Sequence, residues 1–392
     1  MFFLACFVEN ATHLDPPSSE RLLSLDTFRG LTIAGMILVN NAGDWSHVFP
    51  PLQHAPWNGW TLADLIFPFF LFIVGVSMSF SFSRRVGQSH GLKQVYLQVT
   101  KRTTILFVLG LFLNALYYMP GGFAFSVLRV PGVLQRIAVV YFFASFIILK
   151  TDPKEQAFIA TFLLLLYWAV MELVPVPGHG AGVLTPQGNL AAYLDNLFLH
   201  GHLKENTWDP EGILSTVPAI STTLFGGLTG HWIRSPKDPY EKAAGLFVMG
   251  GVGLVLGVMW DQFFPINKNL WTSSYVVFTT GMALYFLGVC YWLIDLKGYW
   301  RWATPFVVFG VNAIAVYALS IVMDQMMGWL SFAQPDGSTV PCRTWIYEHL
   351  YAPWAGRWFG EMYASFFYAL TYVLLWLGLM GLLYRRKIFI HI

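Results

Sequence analysis

The segment LADLIFPFFLFIVGVSMSFSFS, residues 62–83, carries a single charge, Asp64, near its start. As a helix it is about 33 Å long, enough to cross the roughly 30 Å hydrocarbon core of a bilayer. Similar runs recur along the chain. Only 11% of its 392 residues are charged and 56% are apolar, against about 25% charged in a typical soluble domain. The fold expected is therefore all-α: a polytopic membrane protein with about ten transmembrane helices. They are predicted at 25–43, 62–83, 103–119, 133–150, 156–174, 212–233, 242–261, 273–294, 304–323 and 363–384. No internal repeat is evident, so residues 21–392 read as one transmembrane domain behind an unassigned tail at 1–20. The tail's MFFLACFV has no basic start and no small-residue cleavage site, and is a poor signal peptide.

Lysine and arginine orient these spans. Of the 23 such residues, only Arg129, Arg136, Lys204, Lys268, Arg343 and Arg357 fall on one side of the predicted topology. The rest fall on the other, which the positive-inside rule makes cytoplasmic. Both termini are then cytoplasmic, and the segments 44–61, 120–132, 175–211, 262–272 and 324–362 face outward. Those outward segments hold His47, His54, His179, His200, His202 and His349, but no N-glycosylation acceptor; the one sequon is at Asn10. That pattern favours a bacterial inner membrane. A net charge of +2 argues against a nucleic-acid partner. Cys6, Cys290 and Cys342 are too scattered for a disulfide framework or a metal site, and no metal is expected.

Polar groups inside or beside membrane spans are costly, so they mark candidate sites. In SLDTFRG, residues 24–30, Asp26 and Arg29 share a helix face. They form either a simple ion pair behind a Ser24 cap or a gate or phosphate contact. Asn40 closes the first span and His54 precedes the second; each also has a bland reading, as a helix cap and a loop histidine. Asp64 follows Thr61 at capping-box spacing. In LRVPGVLQRI, residues 128–137, Arg129, Gln135 and Arg136 either bind an anionic group or snorkel to the interface. In TWDPEGIL, residues 207–214, Asp209 and Pro210 read as a helix start, which leaves Glu211 available for a cationic or hydroxylated substrate. The segment FFPINKNLWTSSYV, residues 263–276, offers Lys268, Asn269 and Trp271. Asn312 lies inside the ninth predicted span, with Asp324 near its outer end. Most of these groups lie toward the outer half and suggest one site opening outward.

SLDTFRG, VNN and HAPWNGWTLADLIFPFFLFIVG, followed by RVPGVLQRIAVVY, DPEGILST, FPINKNLWTSSYV and the Asn312 segment, resemble the heparan-α-glucosaminide N-acetyltransferase family and its bacterial NagX-like relatives. The resemblance runs in order from about residue 21 to 387. The luminal N-terminal extension of the lysosomal members has no counterpart here, which leaves compartment and polymer substrate open. The resemblance implies a transmembrane acyltransferase that moves acetyl from cytoplasmic acetyl-CoA to the amino group of a glucosamine-type sugar on the far side. It implies that His54 is the catalytic residue and that Asn40 lies beside the acetyl group. Trp57, Asn58, Asp64 and the other motif residues are implied site lining, and a homodimer follows by analogy. His54 acts either as general base or as acetyl acceptor, and Asn40 can donate to the oxyanion. Two other readings stay open on the residues themselves: an amino-sugar transporter, and an O-acetyltransferase of an envelope glycan.

Overall fold

A computed structural model describes residues 22–87, 92–119, 125–334 and 337–390. The tail expected at 1–20, with Cys6 and the Asn10 sequon, lies outside the described residues. The main α-helices are α1 (Leu23–Asn40), α2 (Leu62–Gly87), α3 (Leu92–Tyr118), α4 (Val133–Lys150), α5 (Pro153–Leu173), α6 (Leu190–Leu199), α7 (Thr216–Arg234), α8 (Pro239–Asp261), α9 (Ser273–Cys290), α10 (Thr304–Val311), α11 (Ala313–Trp329), α12 (Cys342–Ile346) and α13 (Glu361–Arg385). A two-stranded antiparallel hairpin, Ser331–Ala333 with Thr339–Pro341, is the one sheet among the described residues.

Seven described helices are long and apolar enough to cross a membrane, eight if α10 and α11 make one bent span. The chain is a mostly helical, multi-pass type of molecule, but length and composition do not confirm a count of ten. Helices α1 and α7 have the length without the apolarity. The reason is burial. Helix α7 encloses Ser221, Thr222, Thr223, Gly226, Gly227 and Gly230 inside the bundle, where lipid does not reach them. At its crossing with α2, a Cβ on Gly226 would lie 2.0 Å from the carbonyl oxygen of Phe72, and one on Gly75 would lie 1.9 Å from that of Thr223. Small residues let two backbones touch, as is usual between helices in lipid.

The ninth expected span, 304–323, is broken. Helices α10 and α11 meet at an angle of 72°, because Asn312 leaves helical geometry at φ −114°, ψ 33°. Its side chain is used by the far end of the chain instead. Asn312 Oδ1 accepts from Ile390 N at 2.8 Å, and Nδ2 donates to Ile388 O at 3.4 Å. The sixth span also begins later than expected, at Thr216 and not at 212. Asp209 does not cap it; its carboxylate is taken by Arg129 and by loop amides. Helix α6, too short to span, was not anticipated within 175–211; Asn189 caps it by accepting from Ala192 N at 2.8 Å.

Candidate functional site

His54 sits on a loop, and two physical ties fix that loop. The first is Asp64, 1% exposed at the start of α2. Its Oδ2 accepts from Ala55 N (3.0 Å), Thr61 N (3.0 Å) and the Thr61 hydroxyl (3.2 Å). This is one arm of the capping box read from the sequence. Oδ1 remains, and it meets His54 Nδ1 at 2.8 Å. An ionised carboxylate only accepts, so Nδ1 carries the proton and Nε2 is left with its basic lone pair.

The second tie is to the segment before α9. Gly59 N donates to Ile266 O at 2.7 Å, and Gly59 pairs with Asn267 in a parallel bridge. Asn267 is fully buried. Its Nδ2 donates to Asn58 Oδ1 at 3.1 Å, while its Oδ1 accepts from Leu270 N at 2.9 Å. Trp271 completes the turn with a left-handed φ of +52°, a conformation that costs a non-glycine residue of the order of 1–3 kcal/mol. The turn delivers Lys268 to the histidine: Nζ lies 2.9 Å from Nδ1, 3.2 Å from Nε2 and 3.3 Å from Asp64 Oδ1. With Nδ1 already donating to Asp64, the only ring lone pair the ammonium can meet is that of Nε2, so Lys268 and a substrate proton compete for it. Burial pulls the Lys268 ammonium below its usual 10.5, with the Asp64 charge opposing.

Pro68 adds a third constraint. It stands inside α2 and has no N–H, so the carbonyl of Asp64, four residues earlier, lacks its helical partner. The fully buried Tyr275 supplies it, its hydroxyl donating to Asp64 O at 2.5 Å. Asp64 is thus held by side chain and backbone at once.

The histidine, 48% exposed as a side chain, faces a cavity of about 470 Å³. Asn40, Glu211, Lys268 and Asn269 line it with His54, and Lys204, Glu205, Trp208 and Tyr317 complete its polar and aromatic wall. From Asn40 the cavity follows α1 back to Thr32, about 12 Å deeper. Ile33, Met36, Phe67, Phe70, Ile137 and Ile314 make that inner part apolar. On its rim, Arg129 binds Asp209 Oδ1 at 2.6 Å and Glu211 Oε2 at 2.5 Å. Burial alone lowers an arginine, but these two carboxylates reverse that and hold Arg129 firmly charged.

Several candidates stand elsewhere. Asp26 and Arg29 pair at 3.0 Å, and Arg29 also donates to the Ser77 hydroxyl at 2.7 Å and to Gly310 O at 3.4 Å. Leu22 occupies the N-cap position, so Ser24 lies within the first turn. This cluster is one helical turn beyond the inner end of the cavity. Asn312 belongs to the helix break. Trp57 donates to Leu184 O at 2.8 Å and stacks edge-on against Trp208; Asn58 holds Asn267. Trp271 is 1% exposed, with the Arg136 guanidinium 5.0 Å from its ring centre, so its face is not open to a sugar. Arg136 itself is buried, donating to the Ser215 hydroxyl and to Gly212 O, and Gln135 lines a second cavity. Lys204, Glu205 and Tyr317 lie outside every motif, and Trp208, though within TWDPEGIL, carries no polar signal of its own; only packing brings the four to the chamber of His54. No cluster suited to a metal ion occurs among the described residues.

The family model described as heparan-alpha-glucosaminide N-acetyltransferase, catalytic, matches residues 21–250. The chain belongs to that family. It is 31% identical over 359 residues to the heparan-alpha-glucosaminide N-acetyltransferase of Mus musculus, covering 78% of this chain and 54% of that protein. With the protein of the same name from Homo sapiens it is 31% identical over 349 residues, covering 76% and 52%. The chain spans about half the length of the curated relatives it matches.

Proposed function

We propose that this family member transfers acetyl from acetyl-CoA to the amino group of a glucosamine-type sugar, at the His54 end of the bundle. One observation carries the reading: His54, oriented by Asp64, shares with Asn40 a cavity that runs about 12 Å back along α1. The sugar amine and the thioester then meet in one chamber from opposite directions. The apolar inner part suits the pantetheine arm, and the Asp26–Arg29–Ser77 cluster beyond it serves as a gate toward the nucleotide end. The lysine and arginine distribution orients the molecule, with both termini cytoplasmic and His54 on the far side.

In the reaction the amine nitrogen bonds to the acetyl carbonyl carbon and the C–S bond breaks. The amine proton passes to His54 Nε2 and then to the departing thiolate. In the two-step variant Nε2 takes the acetyl group first and releases it to the amine. The imidazolium formed on either route faces the Asp64 carboxylate. The Asn40 amide donates to the oxyanion, a contribution of roughly 2.7–4 kcal/mol for one such donor. Glu205 and Glu211 line the chamber with His54, and either carboxylate suits the amino group of an amino-sugar acceptor.

The test is transfer of labelled acetyl from acetyl-CoA to glucosamine by purified protein in proteoliposomes. Wild type transfers and His54→Ala does not. Wild-type rates in His54→Ala would remove His54 from the mechanism. Labelled glucosamine crossing the membrane without acetyl-CoA would favour a transporter.

A further inference from the structure

Lys268 stands where an acceptor amine has to stand. Its Nζ lies 3.2 Å from His54 Nε2, the atom that takes the proton of an attacking amine. It lines the chamber together with Asn40, the donor to the oxyanion. Lys268 is itself a primary amine, the class of group that an N-acetyltransferase acylates. The turn through Asn267 and Trp271 holds it there, with the side chain 17% exposed. An amine already held beside the base reacts without the entropy cost of bringing in a free acceptor.

Two effects oppose each other at the nitrogen. Asp64 Oδ1, 3.3 Å away, favours the ammonium, which has no lone pair to attack with. Burial favours the neutral amine and lowers Lys268 from its usual 10.5. Lys204 supplies a contrast within the same chamber. Its side chain is 55% exposed and stands 4.0 Å from Glu205, and among the described residues no hydrogen bond ties it to His54.

We propose that Lys268 is an internal acetyl acceptor: with acetyl-CoA bound and no sugar present, the site acetylates Lys268 Nζ and shuts itself off. The proposal rests on the acetyl-CoA-dependent reading of the site. The ammonium first gives one proton to Nε2, and the imidazole, 48% exposed, passes it to water. Nζ then bonds to the acetyl carbonyl carbon and the C–S bond breaks. The second Nζ proton passes through Nε2 to the thiolate, leaving N-acetyl-Lys268 and free coenzyme A. In the two-step variant the acetyl group stands on Nε2 itself, beside Nζ, and the released Nε2 takes up the proton. The product is an uncharged amide. It leaves Asp64 without its ammonium and sets an acetyl group against the base. A bound amino sugar prevents this by taking both Nε2 and the acetyl group.

The experiment incubates purified protein in proteoliposomes with acetyl-labelled acetyl-CoA, with and without glucosamine. Remaining transfer activity is measured, and label is mapped by peptide mass spectrometry. Without glucosamine the expected result is label on Lys268 and none on Lys204, with activity lost in step. Glucosamine at about ten times its KM slows both about tenfold, through occupancy. His54→Ala slows the labelling of Lys268 by at least about 10²-fold, the lower end of a general base's contribution. Lys268→Arg keeps the charge but accepts no acetyl, and holds its starting activity through the same incubation. Turnover of glucosamine by protein whose Lys268 stays unlabelled after prolonged incubation with acetyl-CoA alone overturns the proposal and leaves acetyl transfer in place. Equal labelling in wild type and His54→Ala overturns it too, since the site then plays no part. Protein that binds acetyl-CoA but labels neither glucosamine nor Lys268 overturns the underlying reading as well.

Discussion

Lys268 and His54 lie 214 positions apart in the chain and 2.9 Å apart in space. The ammonium is largely enclosed, and burial lowers its pKa from 10.5 despite the Asp64 carboxylate beside it. Between that lowered value and 10.5 the unfolded chain binds more protons than the folded one. Stability therefore rises with pH across this window. Lys268→Met removes the rise. Denaturant midpoints at pH 7, 8.5 and 10 for both proteins check this; a slope unchanged by the substitution contradicts it.

Asp64→Asn keeps the shape of the side chain but no longer demands the Nδ1–H tautomer of His54. General-base catalysis contributes about 10²–10⁴-fold, and a loss of that order in kcat is expected with little change in KM for acetyl-CoA. Asn40→Ala is expected to lower kcat by about 10²–10³-fold through the oxyanion. Steady-state kinetics on the two variants measure both. A purely raised KM in either would mean that the residue binds substrate without assisting the transfer.

Tyr275→Phe removes the hydrogen bond that satisfies, among the described residues, the carbonyl Pro68 leaves open. A buried acceptor without a donor costs about 1–3 kcal/mol. The variant should unfold at lower temperature. It should also lose kcat, since Asp64 is less firmly placed, without a shift in acetyl-CoA affinity. Thermal unfolding and kinetics on one preparation separate the two effects, and wild-type values in both would show that the carbonyl has another solution.

The helical, multi-pass class was legible in the sequence, though not a count of ten, because lipid imposes a simple rule on length and polarity. Asp64, Asn40 and His54 were legible as polar groups in the wrong place. Three things were not. The break at Asn312 is invisible in 304–323, since its cause is the backbone of Ile388 and Ile390, distant in the chain. The helix-start reading of Asp209 was locally sound, but Arg129 claims the carboxylate from 80 positions away. The role of Trp271 as an interior residue depends on Arg136 and Thr222, which meet it only in the folded bundle. In each case a tertiary partner overrode a local signal.

A clasp at the His54 end supplies a pH prediction of the opposite sign. His47 bridges Asp44 (2.8 Å) in the loop after α1 and Glu361 (2.5 Å) at the start of α13. Its pairing with Asp44 raises it above its ordinary 6.5, and the same pairing lowers Asp44 below 3.8. The His47 contribution is complete below about pH 6.5 and is lost as pH rises through its raised folded value. The Asp44 contribution is present above 3.8 and is lost as pH falls through its lowered one. His47→Gln should therefore lower the melting temperature at pH 5.5 and leave it nearly unchanged at pH 9. An equal difference at both values would show that the histidine acts by packing alone.

The backbone splice between Gly59 and Ile266 has a corollary for how such proteins can diverge. Two loops joined main chain to main chain must keep step, because a one-residue slip reverses the direction of every following side chain. Insertions or deletions in 53–61 or 265–272 would turn the imidazole or the ammonium away from the chamber, whatever residues were kept. The exposed hairpin at Ser331–Ala333 and Thr339–Pro341 carries no such restriction. Among relatives that retain the chemistry, invariant spacing within those two loops should be a stricter signature than the identity of most residues around them.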